Sequence, residues 1–129
     1  KLARPDINIV AVEPENAALL SGNDWQPHKI QGWTPDFVPA VLDKSVPDQI
    51  VQVSDEEAIA TAQKLACEEG IFCGISAGGT MAAAFKVAEQ APADSTFLVM
   101  LPDTGERYLS SPLFANISED SDDAWLESL

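Results

Sequence analysis

The sequence predicts an α/β fold, a three-layer arrangement in which helices cover both faces of a parallel sheet. Three observations carry that prediction. Residues 7–12 (INIVAV) and 96–101 (TFLVML) are apolar at nearly every position, the pattern of strands buried on both sides. Stretches with apolar residues at helical spacing lie between such runs. From residue 50 to 101 the order is strand, helix, strand, helix, strand, a βαβαβ unit whose crossovers are expected to be right-handed.

Residues 1–6 read as the tail of an element, and 7–12 as a buried strand ended by Glu13-Pro14. Residues 16–20 suit a short helical turn. Residues 21–47 form a long connection rich in Gly, Pro, Asp and Trp, and a connection of that length usually carries ligand contacts. Residues 50–53 form a second strand. Ser54 with Glu57 three residues on is a capping box, in which each side chain satisfies a free amide of the helix start. Ala58, Ala62, Leu65 and Ala66 then share one helical face, and Gly70 stops the helix where a left-handed residue is needed. A short strand at 71–73 leads into a glycine-rich turn, Gly74 to Thr80. A second helix begins there, with Ala77, Met81, Ala84, Phe85 and Ala88 as its expected inner face and Pro92 beyond its end. The strand 96–101 follows. Residues 1–117 are expected to be the folded part and 118–129 an acidic, mobile tail in which Trp125 and Leu126 offer docking groups.

Charge and composition exclude several functions. Twenty-one Asp and Glu against seven Lys and Arg give a net charge of −14, so the basic footprint of a nucleic-acid binder is missing, and an anionic membrane would repel the chain. There is one histidine, His28, and the two cysteines match no zinc or redox spacing, so no metal site is expected. Both thiols are expected to be reduced and buried. No targeting segment or membrane-length apolar run appears, which makes the cytoplasm the default location.

Three strings hold the candidate chemistry. The turn Gly74 to Thr80 leaves a strand and opens a helix, the setting in which backbone approaches a ligand closely. Ser76 is its side chain with both a donor and an acceptor; it either meets a ligand or caps the helix. The string Pro102-Asp103-Thr104-Gly105-Glu106-Arg107-Tyr108 leaves the next strand at the same sheet edge, with Arg107 expected to hold a structural corner, paired with Glu106. In His28-Lys29-Ile30-Gln31-Gly32 the two charged side chains read as solvated loop, whereas Gly32 permits close approach to a bound molecule.

Together, Val12-Glu13-Pro14, Pro27-His28-Lys29-Ile30-Gln31-Gly32, Glu68-Glu69-Gly70-Ile71, Gly74-Ile75-Ser76-Ala77-Gly78 and Gly105-Glu106-Arg107-Tyr108-Leu109-Ser110 occur in the order and spacing of one family. The chain resembles the C-terminal portion of the cysteine synthase (O-acetylserine sulfhydrylase) family of fold-type-II pyridoxal-phosphate enzymes. The resemblance weakens after Phe114. It implies an incomplete part of that fold and a complete enzyme that uses pyridoxal 5'-phosphate to make L-cysteine from O-acetylserine and sulfide. It implies that Ser76 bonds the pyridine nitrogen of the cofactor, that Pro102 and Asp103 border the same ring edge, and that Gly32 lies in the substrate-side loop.

The resemblance also shows what is missing. The family's Schiff-base lysine, its substrate-carboxylate loop and its phosphate loop lie in motifs absent here, and Lys29, Lys44, Lys64 and Lys86 fall in none of them. The chain alone is therefore expected to be inactive, with weak or no cofactor binding. Where the family often has small residues, this chain reads Gly32-Trp33-Thr34-Pro35-Asp36, which places bulk and a proline beside the substrate. Alternatives within the fold are cystathionine β-synthase and serine or threonine dehydratases. A non-catalytic module binding the C-terminal tail of serine acetyltransferase is a further one. Exposed strand edges in an incomplete sheet predict self-association into a homo-oligomer, opposed by the charge.

Overall fold

The computed structural model describes residues 1–117 and 122–127. Strands β1 (Val10–Pro14) and β2 (Gln49–Val53) pair in parallel, with Val10 opposite Gln49 and Pro14 opposite Val53. The strand does not stop before Glu13-Pro14 as the proline suggested. Pro14 sits at φ −66° and ψ 138°, an extended conformation, at the last position of the strand, where its missing N–H interrupts no further ladder. The connection between the strands has a 3-10 turn at Glu15–Ala17 and no other regular structure. Glu13 is buried and organises the start of that connection. Its carboxylate accepts the amides of Leu20 and Ser21 and the Ser21 hydroxyl.

Helix α1 (Asp55–Glu69) begins and ends as the sequence indicates. Ser54 Oγ accepts the Glu57 amide, Glu57 Oε2 accepts the Ser54 amide, and Gly70 closes the helix at φ 67°. Ala58, Ala62 and Leu65 are buried. Helix α2 (Ile75–Ala88) packs on α1 and touches both strands. The contact is close because Gly78 has no side chain: a Cβ there would run into the Ala58 carbonyl oxygen and lie 2.7 Å from the Ala62 nitrogen. Buried on α2 are residues 75–79, Ala82 and Ala83; of the expected inner face Ala77 is fully buried and Met81 packs on the core, whereas Phe85 and Ala88 are exposed. Small residues let the helices approach, and Phe85 is left outside.

The fold is α/β, with helices packed on a parallel sheet, but two of the expected strands carry no ladder. At residues 71–73 only Cys73 pairs, as an isolated antiparallel bridge to Thr104. Residues 96–101 pair with no strand among the described residues, and Leu98 is wholly exposed. An apolar run becomes a strand only when a second backbone lies beside it. Cys73 is buried and Cys67 exposed, correcting the expectation that both thiols are inside. In the acidic tail, α3 (Asp122–Glu127) is a short helix with Leu126 exposed. Residues 118–121, 128–129 and the Trp125 side chain, and with them most of the mobile-tail expectation, lie outside the described residues. No described helix is long and apolar enough to cross a membrane.

Candidate functional site

The site is built where the start of α2 meets the corner after residue 101. Backbone zips the two together. The Gly74 amide donates to the Asp103 carbonyl at 3.0 Å, and the Gly105 amide donates to the Phe72 carbonyl at 3.2 Å. Gly74 lies against the ring of Tyr108, which occupies the space a Cβ would need. Tyr108, itself 4% exposed, sends its hydroxyl to Asp103 Oδ2 at 2.8 Å. The corner is thus held by Tyr108 and by backbone; Arg107 and Glu106 form no ion pair among the described residues.

Ser76 is buried, 4% exposed, in the first turn of α2. It does not cap the helix. Gly74 is the N-cap, and no side chain bonds the free amides there. The hydroxyl is therefore not consumed by the helix start, and it stands two residues from the amide that reaches Asp103. Asp103 Oδ1 is a buried oxygen with no hydrogen-bond partner. Such an atom costs free energy unless a donor outside the chain reaches it. Cys73, next to the turn, is pushed up in pKa by burial, against a smaller opposing backbone hydrogen bond, and so stays a neutral thiol. These groups fit an aromatic nitrogen heterocycle better than an ion: a neutral hydroxyl, a proline edge, a glycine-lined approach and one unmatched acceptor.

Gly32 is exposed at φ 83°, with nothing within 4 Å of where a Cβ would be, so the left-handed backbone and not crowding requires glycine. Its neighbour Trp33 lies on Gly79 of α2, which brings the loop to the helix of Ser76. Sequence reasoning placed Trp33 in the substrate-side loop and Gly79 in the glycine-rich turn, but missed that the two meet and that Trp25 braces the loop through the Thr34 carbonyl. His28 is half-buried rather than solvated, with Nε2 3.4 Å from the Thr34 carbonyl; Lys29 is exposed, but its amide donates to Asp55 Oδ1 at 2.9 Å. Lys86 is engaged with Glu57 and the Gln52 carbonyl. No cluster of metal-ligating side chains occurs among the described residues.

A concavity of about 950 Å³ lies elsewhere. It runs along the open edge of β1, with Ile9, Val12, Ala83, Val87 and Val99 among its walls. Ser76, Gly32 and Asp103 do not line it. Its walls mix these apolar residues with polar ones such as Arg4, Asp6 and Gln49, and it lies between the unpaired edge of β1 and residues 96–101.

The sequence profile described as "Pyridoxal-phosphate dependent enzyme" matches residues 1–103. The chain belongs to that pyridoxal-phosphate dependent enzyme family, and its fold is part of the fold-type-II architecture. It is 56% identical over 129 residues to the O-ureido-L-serine synthase of Streptomyces lavendulae. It is 41% identical over 111 residues, 86% of this chain, to the cysteine synthase of Staphylococcus aureus. A crystal structure of O-ureido-L-serine synthase matches 98% of this chain with a TM-score of 0.91 at 56% identity, and that of cysteine synthase from Entamoeba histolytica matches 99% with 0.85 at 35%. The chain spans 40% of the first of these curated relatives and 36% of the second.

Proposed function

We propose that this chain is the cofactor-ring side of a pyridoxal-phosphate enzyme that replaces the β-substituent of an O-activated L-serine. In this reading residues 1–117 are the C-terminal α/β part of that enzyme and 118–129 its acidic tail. The carrying observation is Ser76: a buried hydroxyl at a helix start, not used as a cap, on a turn tied to the Pro102-Asp103 corner through the Gly74 amide.

In this reading Ser76 faces the pyridine nitrogen, Pro102 and Asp103 border the same ring edge, and Gly32 lies on the substrate side. Pyridoxal phosphate, when bound, supplies the electron sink that lets an amino acid lose its Cα proton and then its Cβ leaving group. Ser76 presents no charge to the ring. A carboxylate there would hold a proton on the nitrogen and deepen the sink; a hydroxyl donates its own hydrogen and leaves the nitrogen unprotonated. That setting favours loss of the β-substituent over reprotonation elsewhere. Lys86 is occupied by Glu57 and Gln52, and no lysine of this chain falls in a matching motif. The lysine that carries the cofactor is therefore supplied outside these 129 residues, and the chain alone is inactive.

The reaction proposed for the complete protein is O-acetylserine plus sulfide giving L-cysteine plus acetate. A second reading is favoured by the 56% identity to O-ureido-L-serine synthase over the whole chain. The same β-replacement yields O-ureido-L-serine when the entering atom is the oxygen of N-hydroxyurea. A cystathionine β-synthase reaction is related through the O-acetylserine dependent enzyme of Helicobacter pylori, 35% identical. A homo-oligomer, and capture of a serine acetyltransferase tail by the cleft, belong to the same reading and are checked by light scattering and by titration with a tail peptide.

The test is Ser76→Asp in the complete enzyme. It is expected to lower β-replacement and shift the cofactor's absorbance, with Ser76→Ala milder in spectrum. An unchanged rate and spectrum would defeat the assignment. Turnover of sulfide against N-hydroxyurea separates the two readings, and a reducible lysine–cofactor adduct with turnover on the isolated chain would overturn its inactivity.

A further inference from the structure

Trp33 is the residue through which the substrate-side loop touches the helix of Ser76. A Cβ built on Gly79 would meet Trp33 Cη2 at 2.8 Å and Cζ2 and Cζ3 at 3.3 Å, so the indole rests on a bare patch of helix. Gly79 follows Ser76 by three residues, and residues three apart on an α-helix share a face. The indole therefore stands one turn along from the Ser76 hydroxyl, on the same side of α2, while Gly78 faces α1.

The loop carrying this indole is pinned on both sides. Gly32 and Thr34 have φ of 83° and 29°. Thr34 is not glycine, so its positive φ persists only because neighbours hold it. Its carbonyl accepts Trp25 Nε1–H at 3.1 Å and faces His28 Nε2 at 3.4 Å. The Trp33 amide donates to the carbonyl of fully buried Ile30 at 3.3 Å, and the Lys29 amide donates to Asp55 at the start of α1. A loop anchored at its base, held at Thr34 and seated on Gly79 forms a fixed wall.

We propose that Trp33 is a specificity-determining residue: its indole sets the gap between the substrate-side loop and the Ser76 face of α2. It thereby limits the size of the nucleophile that reaches the serine β-carbon. The proposal rests on the β-replacement reading above. A ring with two side-chain torsions, fixed in place, excludes volume sharply, and in apolar sites a single methylene changes discrimination by about 10–200-fold.

The experiment has two arms, both on the complete enzyme. In the first, kcat/KM is measured for sulfide and for thiophenol with O-acetylserine in wild type, Trp33→Phe and Trp33→Gly. The thiophenol-to-sulfide ratio is expected to rise by about tenfold or more in Trp33→Gly and much less in Trp33→Phe. In the second, Gly79→Ala is introduced with and without Trp33→Gly and the melting temperature is read. Alone it is expected to lower the melting temperature, because the methyl collides with the indole; beside Trp33→Gly it is expected to be neutral or raise it, since alanine favours helix over glycine. Wild type lacking β-replacement with every nucleophile would overturn the reading beneath the proposal and the proposal with it. An active wild type whose ratio is unmoved in Trp33→Gly would overturn the proposal alone, as would an equal effect of Gly79→Ala in both backgrounds.

Discussion

The Tyr108 hydroxyl donates to Asp103 Oδ2 at 2.8 Å, and the same ring fills the space that a side chain on Gly74 would need. One aromatic residue thus positions both halves of the candidate site: the carboxylate beside the proline corner and the turn that presents Ser76. Tyr108→Phe keeps the packing and removes the bond to a charged group. A loss of roughly 1–3 kcal/mol is expected, read as a lower melting temperature. Gly74→Ala is expected to cost a similar roughly 1–3 kcal/mol through overpacking, and Tyr108→Leu should relieve part of that cost. Full additivity of the two changes would contradict the shared contact.

The pH dependence of this corner has a definite sign. Burial, reinforced by the Asp103 carboxylate, pushes the Tyr108 hydroxyl above its ordinary value of 10.0. The folded chain then binds more protons than the unfolded chain at alkaline pH, so stability falls as pH rises. The contribution is complete below about pH 10 and is lost as pH climbs through the raised value. Urea midpoints measured on either side of pH 10 are expected to fall more steeply in wild type than in Tyr108→Phe.

At the acid end the relevant pair is Glu57 and Lys86, 2.7 Å apart. Burial pushes the Glu57 carboxyl up, but hydrogen bonds from Lys86 and Ser54 outweigh it and hold the group below 4.5. A depressed carboxylate stabilises the fold above its unfolded value and ceases to do so as pH falls through the folded one. Lys86→Met is therefore expected to move the acid unfolding midpoint upward in circular dichroism. Because both side chains are partly exposed, salt should weaken the effect. A midpoint indifferent to both would mean that the capping box alone sets it.

Gly78→Ala is expected to destabilise even though alanine is the better helix former by about 1 kcal/mol. The added methyl would collide with the Ala58 carbonyl across the α1–α2 contact. Overpacking of this kind costs about 1–3 kcal/mol, so the sign follows the contact and not the propensity. Chemical denaturation with an unchanged m-value is the measurement.

Glu13→Ala is expected to cost on the order of 1–3 kcal/mol, because it removes the charged acceptor of the amides of half-buried Leu20 and of Ser21. Amide exchange at those two positions should quicken more than at β1 itself. Equal quickening along the strand would instead mean a general loosening.

What the sequence disclosed was mostly what short-range chemistry decides. The Ser54–Glu57 box, the Gly70 stop and the Gly74-to-Thr80 turn each depend on neighbours a few residues away. The strings in order pointed to a pyridoxal-phosphate enzyme, and residues 1–103 match the profile of that broad family. Less legible were features that depend on distant partners. The run 96–101 has the composition of a buried strand, yet no described backbone lies beside it. Apolar periodicity pointed α2 toward Phe85, because a face made of glycine and alanine gives little hydrophobic signal. The Trp33–Gly79 seat had no sequence signal beyond an unexpected bulky residue, since glycine 46 positions later in the chain reveals nothing of what rests on it. Arg107 was expected to hold the corner on charge, whereas Tyr108 does so by filling volume and offering one hydroxyl.

The bare run at residues 96–101, with Leu98 wholly exposed, makes this polypeptide's solubility a matter of electrostatics. The run has strand-forming composition and exposes Phe97, Leu98 and Met100, the kind of segment that zips onto its own copies. Mutual repulsion from a net charge of −14 keeps copies apart near neutrality. That repulsion vanishes at the isoelectric point of about 4.1. Mildly acidic buffers should therefore turn a clear solution turbid well before the helices melt, and a single lysine in place of Leu98 should keep it clear.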